Sequence, residues 1–150
     1  MDPIYRRILL AIELNDDSLS VALRAGAFAV RVGAELELLH VVEYVPVEPM
    51  GETLMPAVQI EEELLARARE RLLALAGELG IAEERCRVEA GNVKAEIVRI
   101  ARERGCDLII VGSRERHGPS IFINLTEDTV LHAAPCDVLA MRVGVRPTAR

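Results

Sequence analysis

Short apolar runs alternate along this chain with segments of helical periodicity, and this alternation restricts the fold more than any other feature. Each run is bounded by charged or turn-forming residues, as expected of a strand that is buried on both faces. Five strands are predicted: residues 8–12, Glu35–Val42, Cys86–Ala90, residues 108–111 and Asp137–Val143. Because the connections are long enough for right-handed crossovers, the pattern predicts an α/β fold: a single doubly wound domain over residues 1–150, with a parallel sheet and helices on both faces.

Four helices are predicted between the strands. The first begins at Asp17 or Ser18 and ends at Gly33, the next two are residues 58–79 and 93–104, and the fourth begins at Pro119 and ends before Pro135. A side-chain oxygen of Asp17 or Ser18 can cap the first helix, and Gly33 suits its end. The apolar residues at helical spacing in the first two helices are predicted to face the sheet: Leu19, Ala22, Leu23, Ala27 and Val30, then Ile60, Leu64, Ala68, Leu72, Leu75 and Leu79. The proline-containing loop 44–57 and a flexible tail, residues 144–150, are predicted to be irregular.

Charge and composition argue against two classes of partner. The net charge is −6 without a basic cluster, and only two Phe and two Tyr are available to stack on bases, so no nucleic acid partner is expected. The chain has no uncharged apolar run of about 18 residues, and no basic N-terminal segment precedes a continuous apolar stretch. We therefore expect a cytoplasmic protein with no membrane span.

No catalytic group and no metal site is predicted from the residue pattern. The three histidines and three cysteines are widely spaced, without an HxxxH or CxxC pair: His40, His117, His132, Cys86, Cys106 and Cys136. The cysteines are predicted to be small buried hydrophobic residues. Carboxylates follow the first strand at Glu13, Asp16 and Asp17, where helix capping and the helix dipole explain them better than a magnesium cluster does.

Four segments spread over nearly the whole chain resemble the universal stress protein family. They are residues 7–13, residues 39–42, the strand end Val111-Gly112-Ser113 and residues 130–140. The resemblance implies the strand order 3-2-1-4-5, in which the sheet reverses direction between strands 1 and 4. A ligand crevice is then expected beyond the carboxyl ends of those two strands. Glu13, Leu14, Gly112 and Ser113 should meet there.

The loop after Gly112 departs from the glycine motif of the family's ATP-binding members. That motif is Gly, two residues, Gly, nine residues, Gly, then Ser or Thr, because glycine lets backbone amides approach phosphate. Counting from Gly112 places Glu115 and Leu125 at the other two glycine positions and leaves Thr126 as the hydroxyl. Counting back from Pro135 instead places Asn124 at the third glycine position and Leu125 at the hydroxyl. Either way two glycines are missing, and a glutamate there would repel a triphosphate.

The first strand also departs from the nucleotide-binding pattern. Those members usually end it with Asp-Gly-Ser, whereas this chain has Glu13-Leu14-Asn15. A leucine in the second place is expected to direct its side chain toward an adenine or ribose. These departures predict a member without a cofactor.

A nucleotide-binding alternative remains open because Arg114, Arg116 and His117 lie in the loop and Gly118 could supply flexibility. In that case ATP or AMP with Mg²⁺ would be the ligand, occupancy would switch the dimer surface, and slow hydrolysis could occur. The resemblance would then assign the phosphates to Gly112, Ser113, Arg114, Gly118 and Thr126, and the ribose and adenine to Glu13 and the backbone of Val41.

Strand 5 is predicted to be a sheet edge that a partner covers. An uncovered edge would expose unpaired amides and the apolar side chains of Val138, Leu139, Ala140, Met141 and Val143. In the family this strand commonly pairs with its twin, so the resemblance and the edge both imply a homodimer. The first hypothesis is therefore a non-catalytic stress-response or regulatory homodimer that acts on protein partners the sequence does not identify.

Overall fold

The computed structural model describes residues 2–43, 54–114, 130 and 132–143, except for the side chains of residues 54–58 and 114. The helices and strands are β1 (Arg7–Ala11), α1 (Ser18–Val32), β2 (Glu35–Val42), α2 (Leu54–Leu79), β3 (Cys86–Ala90), α3 (Val93–Glu103), β4 (Leu108–Arg114) and β5 (Asp137–Val143). Three strands have the predicted bounds, while β4 continues three residues past its predicted end at Val111.

The sheet is parallel throughout and has the order β3-β2-β1-β4-β5, as predicted. β1 lies at its centre, with Leu10 opposite Leu38 of β2 and Ile110 of β4. From β1 the chain adds β2 and β3 on one side, and it then crosses back to add β4 and β5 on the other side. The carboxyl ends of β1, β2 and β4 therefore lie side by side.

Two apolar layers enclose the sheet. On one face, Ile8 and Leu10 of β1 pack with α1, α2 and Met141 of β5. On the other, Leu9 packs with α3 and with Val130. Because successive side chains of a strand point to opposite faces, the short run of β1 supplies both layers.

The predicted apolar face of α1 is wrong except at Ala22, which is buried as predicted. Val21, Ala22, Ala25 and Ala29 are buried, whereas the large side chains of the predicted stripe face solvent: Leu19, Leu23 and Val30, the last of them 81% exposed. The physical reason is that α1 carries two apolar stripes, and the stripe of small residues lets the helix approach the sheet more closely. At the helix ends, Gly33 adopts φ 74°, as predicted, while Asp17 occupies the N-cap position without a side-chain capping bond.

α2 begins four residues earlier than predicted, at Leu54, because Pro56 in a first turn needs no amide partner. Its C-terminal half packs on the sheet through Ala68, Leu72, Leu75 and Ala76. Two residues of the predicted apolar stripe in its N-terminal half, Ile60 and Leu64, are 52% and 40% exposed, so the prediction was wrong there.

α3 has the predicted buried residues Ile97, Ile100 and Ala101, and the side chain of Asn92 caps it by accepting a hydrogen bond from the amide of Ala95 at 3.0 Å. Of the predicted fourth helix, the structure describes only the last residues, of which Val130, His132 and Ala133 are helical. The predicted tail and most of the predicted loop 44–57 lie outside the described residues.

Cys86 and Cys106 are buried, as predicted, while Cys136 is half-buried. Burial, followed by the negative charge of Glu37, raises the pKa of the Cys106 thiol to about 12. Glu37 itself is 5% exposed and forms a forked ion pair with Arg104, whose Nη2 donates to Oε1 at 2.7 Å and whose Nε donates to Oε2 at 3.0 Å. The pair joins β2 to the end of α3.

Candidate functional site

A crevice of about 210 Å³ opens where the carboxyl ends of β1, β2 and β4 meet. Its apolar lining comes from strand ends and from the first turns of α1 and α3. These residues are Ala11, Ile12, Val21, Leu39, Val41, Val93, Ile97, Val111 and Val143, together with Gly112. The crevice lies at the point where the strand order reverses, the usual ligand position in an open α/β sheet.

Three of the residues predicted from the sequence line this one crevice: Glu13, Val41 and Gly112. Ser113 follows Gly112 in β4 but is not part of the described lining. Gly118 and Thr126 lie outside the described residues, as does the side chain of Arg114. The structure thus brings together the residues assigned to ribose and adenine, and their role in binding a nucleotide stays a prediction.

Leu14 does not face the crevice, contrary to the prediction. Its side chain packs against the core on the α1 and α2 side of the sheet. Its carbonyl oxygen accepts a hydrogen bond from Nη2 of Arg71 in α2 at 2.7 Å. Leu14 therefore takes the place of the glycine found in the nucleotide-binding members without filling the crevice.

The loop between β1 and α1 is held by bonds among its own residues. The hydroxyl of Ser18, which is buried, donates to the carbonyl of Glu13 and accepts from the amide of Asn15. Asn15 in turn accepts from the amide of Asp17 at 3.0 Å and donates from Nδ2 to Oε2 of Glu13 at 3.1 Å. These short-range bonds fix the turn and hold the Glu13 carboxylate at the crevice.

His40 also lines the crevice, although it was not among the residues predicted to form a site. Its Nδ1 lies 2.7 Å from the carbonyl oxygen of Ile12. A carbonyl oxygen only accepts, so Nδ1 is the donor in this contact. The signal available in the sequence was its place near the end of a strand next to β1 in the sheet.

The ionisable side chains of the described lining are acidic, apart from His40. They are Glu13 and Asp17 from the β1–α1 loop and Glu43 after β2; the described lining includes no lysine or arginine. The crevice thus combines an apolar floor with a rim of hydrogen-bond acceptors. That arrangement suits a small organic molecule with an apolar body and donor groups.

Gly112 and Val143 approach closely at one wall of the crevice. A Cβ atom built on Gly112 would lie 2.8 Å from Cγ2 of Val143, closer than two carbon atoms tolerate. Gly112 is opposite Met141 in the register, so its missing side chain would point to the same face as Met141 and Val143. Val143 was predicted only as an edge residue, but it belongs to the crevice as well.

Among the described strands, β5 has a neighbour on one side only, β4. Ala140 is exposed, and Val138, Leu139 and Val143 are half-buried. Met141 is 8% exposed and packs in the core on the α1 side, so the expectation that this residue lies uncovered at the edge is wrong. Ala140 is exposed as predicted, Val138, Leu139 and Val143 are exposed only in part, and the dimer stays a prediction.

The described residues offer neither a metal site nor a membrane span. They include no group of three or more side chains placed to hold a metal ion. In the part of the chain that the structure describes, no helix is both long and apolar enough to span a bilayer.

The comparisons with known proteins agree on one family. The universal stress protein family model matches residues 4–142. Universal stress protein A homolog 2 of Coxiella burnetii is 35% identical over 140 residues, which cover 93% of this chain and 96% of the relative.

Solved structures of the family share the fold. Universal stress protein UspA from Lactobacillus plantarum superposes with a TM-score of 0.69 at 24% identity, and the match covers 94% of this chain and 100% of that one. A universal stress protein in complex with cAMP gives a TM-score of 0.61 at 20% identity, covering 91% and 97%. The chain spans about half, 48%, of a longer putative universal stress protein from Pseudomonas aeruginosa. With the family model matching nearly its whole length, this chain belongs to the universal stress protein family.

Proposed function

We propose that this chain is a non-catalytic regulatory member of the family, which works as a homodimer through β5 and does not depend on ATP. Such a protein would act by presenting surfaces to protein partners. The role is one of interaction, because neither the residue pattern nor the described part of the crevice lining offers an arrangement of nucleophile and base.

The missing glycines of the loop after Gly112 carry this proposal, and the charge of the crevice supports it. Asp17 and Glu43 add carboxylates to the described lining beside Glu13, whose position holds an aspartate in the ATP-binding members. ATP carries several negative charges, and like charges at short range repel strongly where water is partly excluded. From the sequence, Glu115 adds a carboxylate at a position where ATP-binding members have glycine.

The exposed edge of β5 supports the dimer. A strand with one neighbour presents a row of backbone donors and acceptors that pair readily with another strand. Ala140 is a small exposed residue on this edge, so a second copy can approach closely there. Two identical edges related by a twofold axis pair with each other and close the assembly at two chains.

Isothermal titration with ATP in magnesium buffer tests the proposal, after mass spectrometry has shown that the purified protein carries no nucleotide. The wild-type chain should give no saturable heat. Glu115→Gly should gain binding, while the matched variant Glu115→Gln, which removes the charge and keeps the side chain, should gain less. Saturable binding of ATP by the wild-type chain at micromolar to low-millimolar concentrations would overturn the proposal.

A nucleotide-binding role is the second candidate, and one observation favours it. Glu13, Val41 and Gly112, which the resemblance assigns to a nucleotide, line one crevice. A related protein of this fold was solved in complex with cAMP. Titration with AMP and cAMP separates the candidates, because a nucleotide that bears one phosphate meets less repulsion than ATP does. Saturable binding that Glu13→Ala abolishes would favour this second role.

A further inference from the structure

The C-terminal end of β5 belongs to two surfaces at once. Val143 lines the crevice, and it is also a half-buried residue of the strand whose other side has no neighbour among the described strands. The preceding residue, Arg142, is bonded to α1, because Nη1 of Arg24 donates a hydrogen bond to its carbonyl oxygen at 2.8 Å. A displacement of Val143 at the crevice wall would therefore also displace the end of the sheet edge.

The space over Gly112 is where the two surfaces meet. Cγ2 of Val143 lies 2.8 Å from the place of a Cβ atom on Gly112, so one of its methyl groups fills the room that a side chain would take. A valine side chain has a single rotatable bond and cannot fold out of the way as a lysine or methionine would. An atom added over Gly112 thus has to displace Val143, and with it the end of β5.

We propose that Val143 couples the crevice to the β5 edge, so that any group occupying the space over Gly112 weakens the association of two copies. Association in turn holds Val143 in place and closes that space, because coupling between two binding events is reciprocal. This inference rests on the proposed homodimer. It adds to that proposal a route by which a crevice ligand would regulate assembly.

A methyl group at residue 112 stands in for the ligand, so the test needs no ligand to be identified. Sedimentation equilibrium gives the dimer dissociation constant of the wild type, Gly112→Ala, Val143→Ala and the double variant. Gly112→Ala should raise that constant roughly tenfold or more. The added methyl group pushes Val143 away, and the end of β5 can shift to relieve this overpacking in a monomer but not in a dimer, where the partner holds the strand in place. In the Val143→Ala background, where the opposing methyl group is absent, the same substitution should change it less than about threefold.

Gly77→Ala is the matched control, because among the described residues its new methyl group meets no atom within 4 Å apart from its own helix backbone. It should leave the dissociation constant unchanged. Equal effects of Gly112→Ala in the two backgrounds, or no effect in either, would overturn the coupling.

A second measurement covers the case in which Gly112→Ala does not fold or Val143→Ala leaves no measurable dimer. The wild-type chain is diluted through its dissociation range while NMR follows the Gly112 amide and the Val143 methyl groups. Both sets of signals should shift together. A shift of Val143 with an unmoved Gly112 amide would overturn the coupling alone, whereas a wild-type chain that stays monomeric would overturn the homodimer as well.

Discussion

Arg71 of α2 donates a hydrogen bond from Nη2 to the carbonyl oxygen of Leu14 at 2.7 Å. This bond ties the second helix to the loop that carries Glu13, so the crevice is braced from a helix that does not line it in the described structure. The long α2 helix of this chain therefore has a role in positioning the site in addition to covering the sheet.

Arg71→Ala should loosen the β1–α1 loop while costing little global stability. An exposed hydrogen bond contributes about 0.5–1.5 kcal/mol, so amide hydrogen exchange over residues 14–17 should quicken roughly three- to tenfold. Arg69→Ala is the matched control, since Arg69 pairs with Glu83 at 2.9 Å, away from the loop. Equal exchange of the loop amides in the two variants would contradict the bracing role.

Glu37→Gln should destabilise the fold by about 2 kcal/mol, because the hydrogen bonds that Arg104 donates to a buried carboxylate lose their charge assistance. Glu35→Gln is the control on the same strand. Its side chain is 51% exposed and pairs with Arg7 and Arg85 at 3.6 and 3.5 Å, so its loss should cost less than about 0.5 kcal/mol. Urea unfolding of both variants checks the difference, and similar midpoints would show that burial of the Glu37 pair has no special weight.

Cys106 should make stability fall with rising pH above about 9. Its pKa is near 12 in the folded chain and lower in the unfolded one, so the unfolded state loses the thiol proton first. The stabilisation is complete below the unfolded pKa and is lost as pH rises through the folded one, by at most about 1.4 kcal/mol per pH unit. The measurement is the free energy of unfolding of the wild type minus that of Cys106→Ala, followed from pH ~8 to pH ~10. A constant difference would contradict the assignment.

Ala140→Glu should weaken the dimer at least about tenfold, because a twofold axis through the β5 edge brings the two new carboxylates near each other. Ala27→Glu adds the same charge to another exposed alanine, on α1, and should leave association unchanged. Analytical ultracentrifugation of the two variants makes the comparison. Equal dimer dissociation constants for the two variants would show that the interface does not lie at β5.

The strands were predictable because each is a short apolar run between polar boundaries, and β2, β3 and β5 have the predicted bounds. The buried face of α1 was not predictable, because apolar residues lie on both faces of this helix. The sequence alone does not decide whether Ala25 or Leu23 lies nearer the sheet. Packing decides that question, and it favours the smaller residues.

The crevice was predictable in part. Glu13, Val41 and Gly112 were assigned from the family resemblance, and all three line it. Three residues were missed as site residues: His40, Ser18 and Asn15. Their positions at the crevice depend on hydrogen bonds to main-chain groups, and such bonds produce no fixed spacing in the sequence. Val143 was assigned to the edge alone because its approach to Gly112 depends on the diagonal register between β4 and β5.

Sedimentation velocity of the wild-type chain in ATP and magnesium, with interference optics for protein and absorbance optics for adenine, tests the central claim most directly. The chain has no Trp and only two Tyr, so adenine that moves with the protein would stand out. We predict a boundary at the dimer mass with no adenine absorbance moving with it. A monomer boundary, or adenine that sediments with the dimer, would contradict an ATP-independent regulatory homodimer.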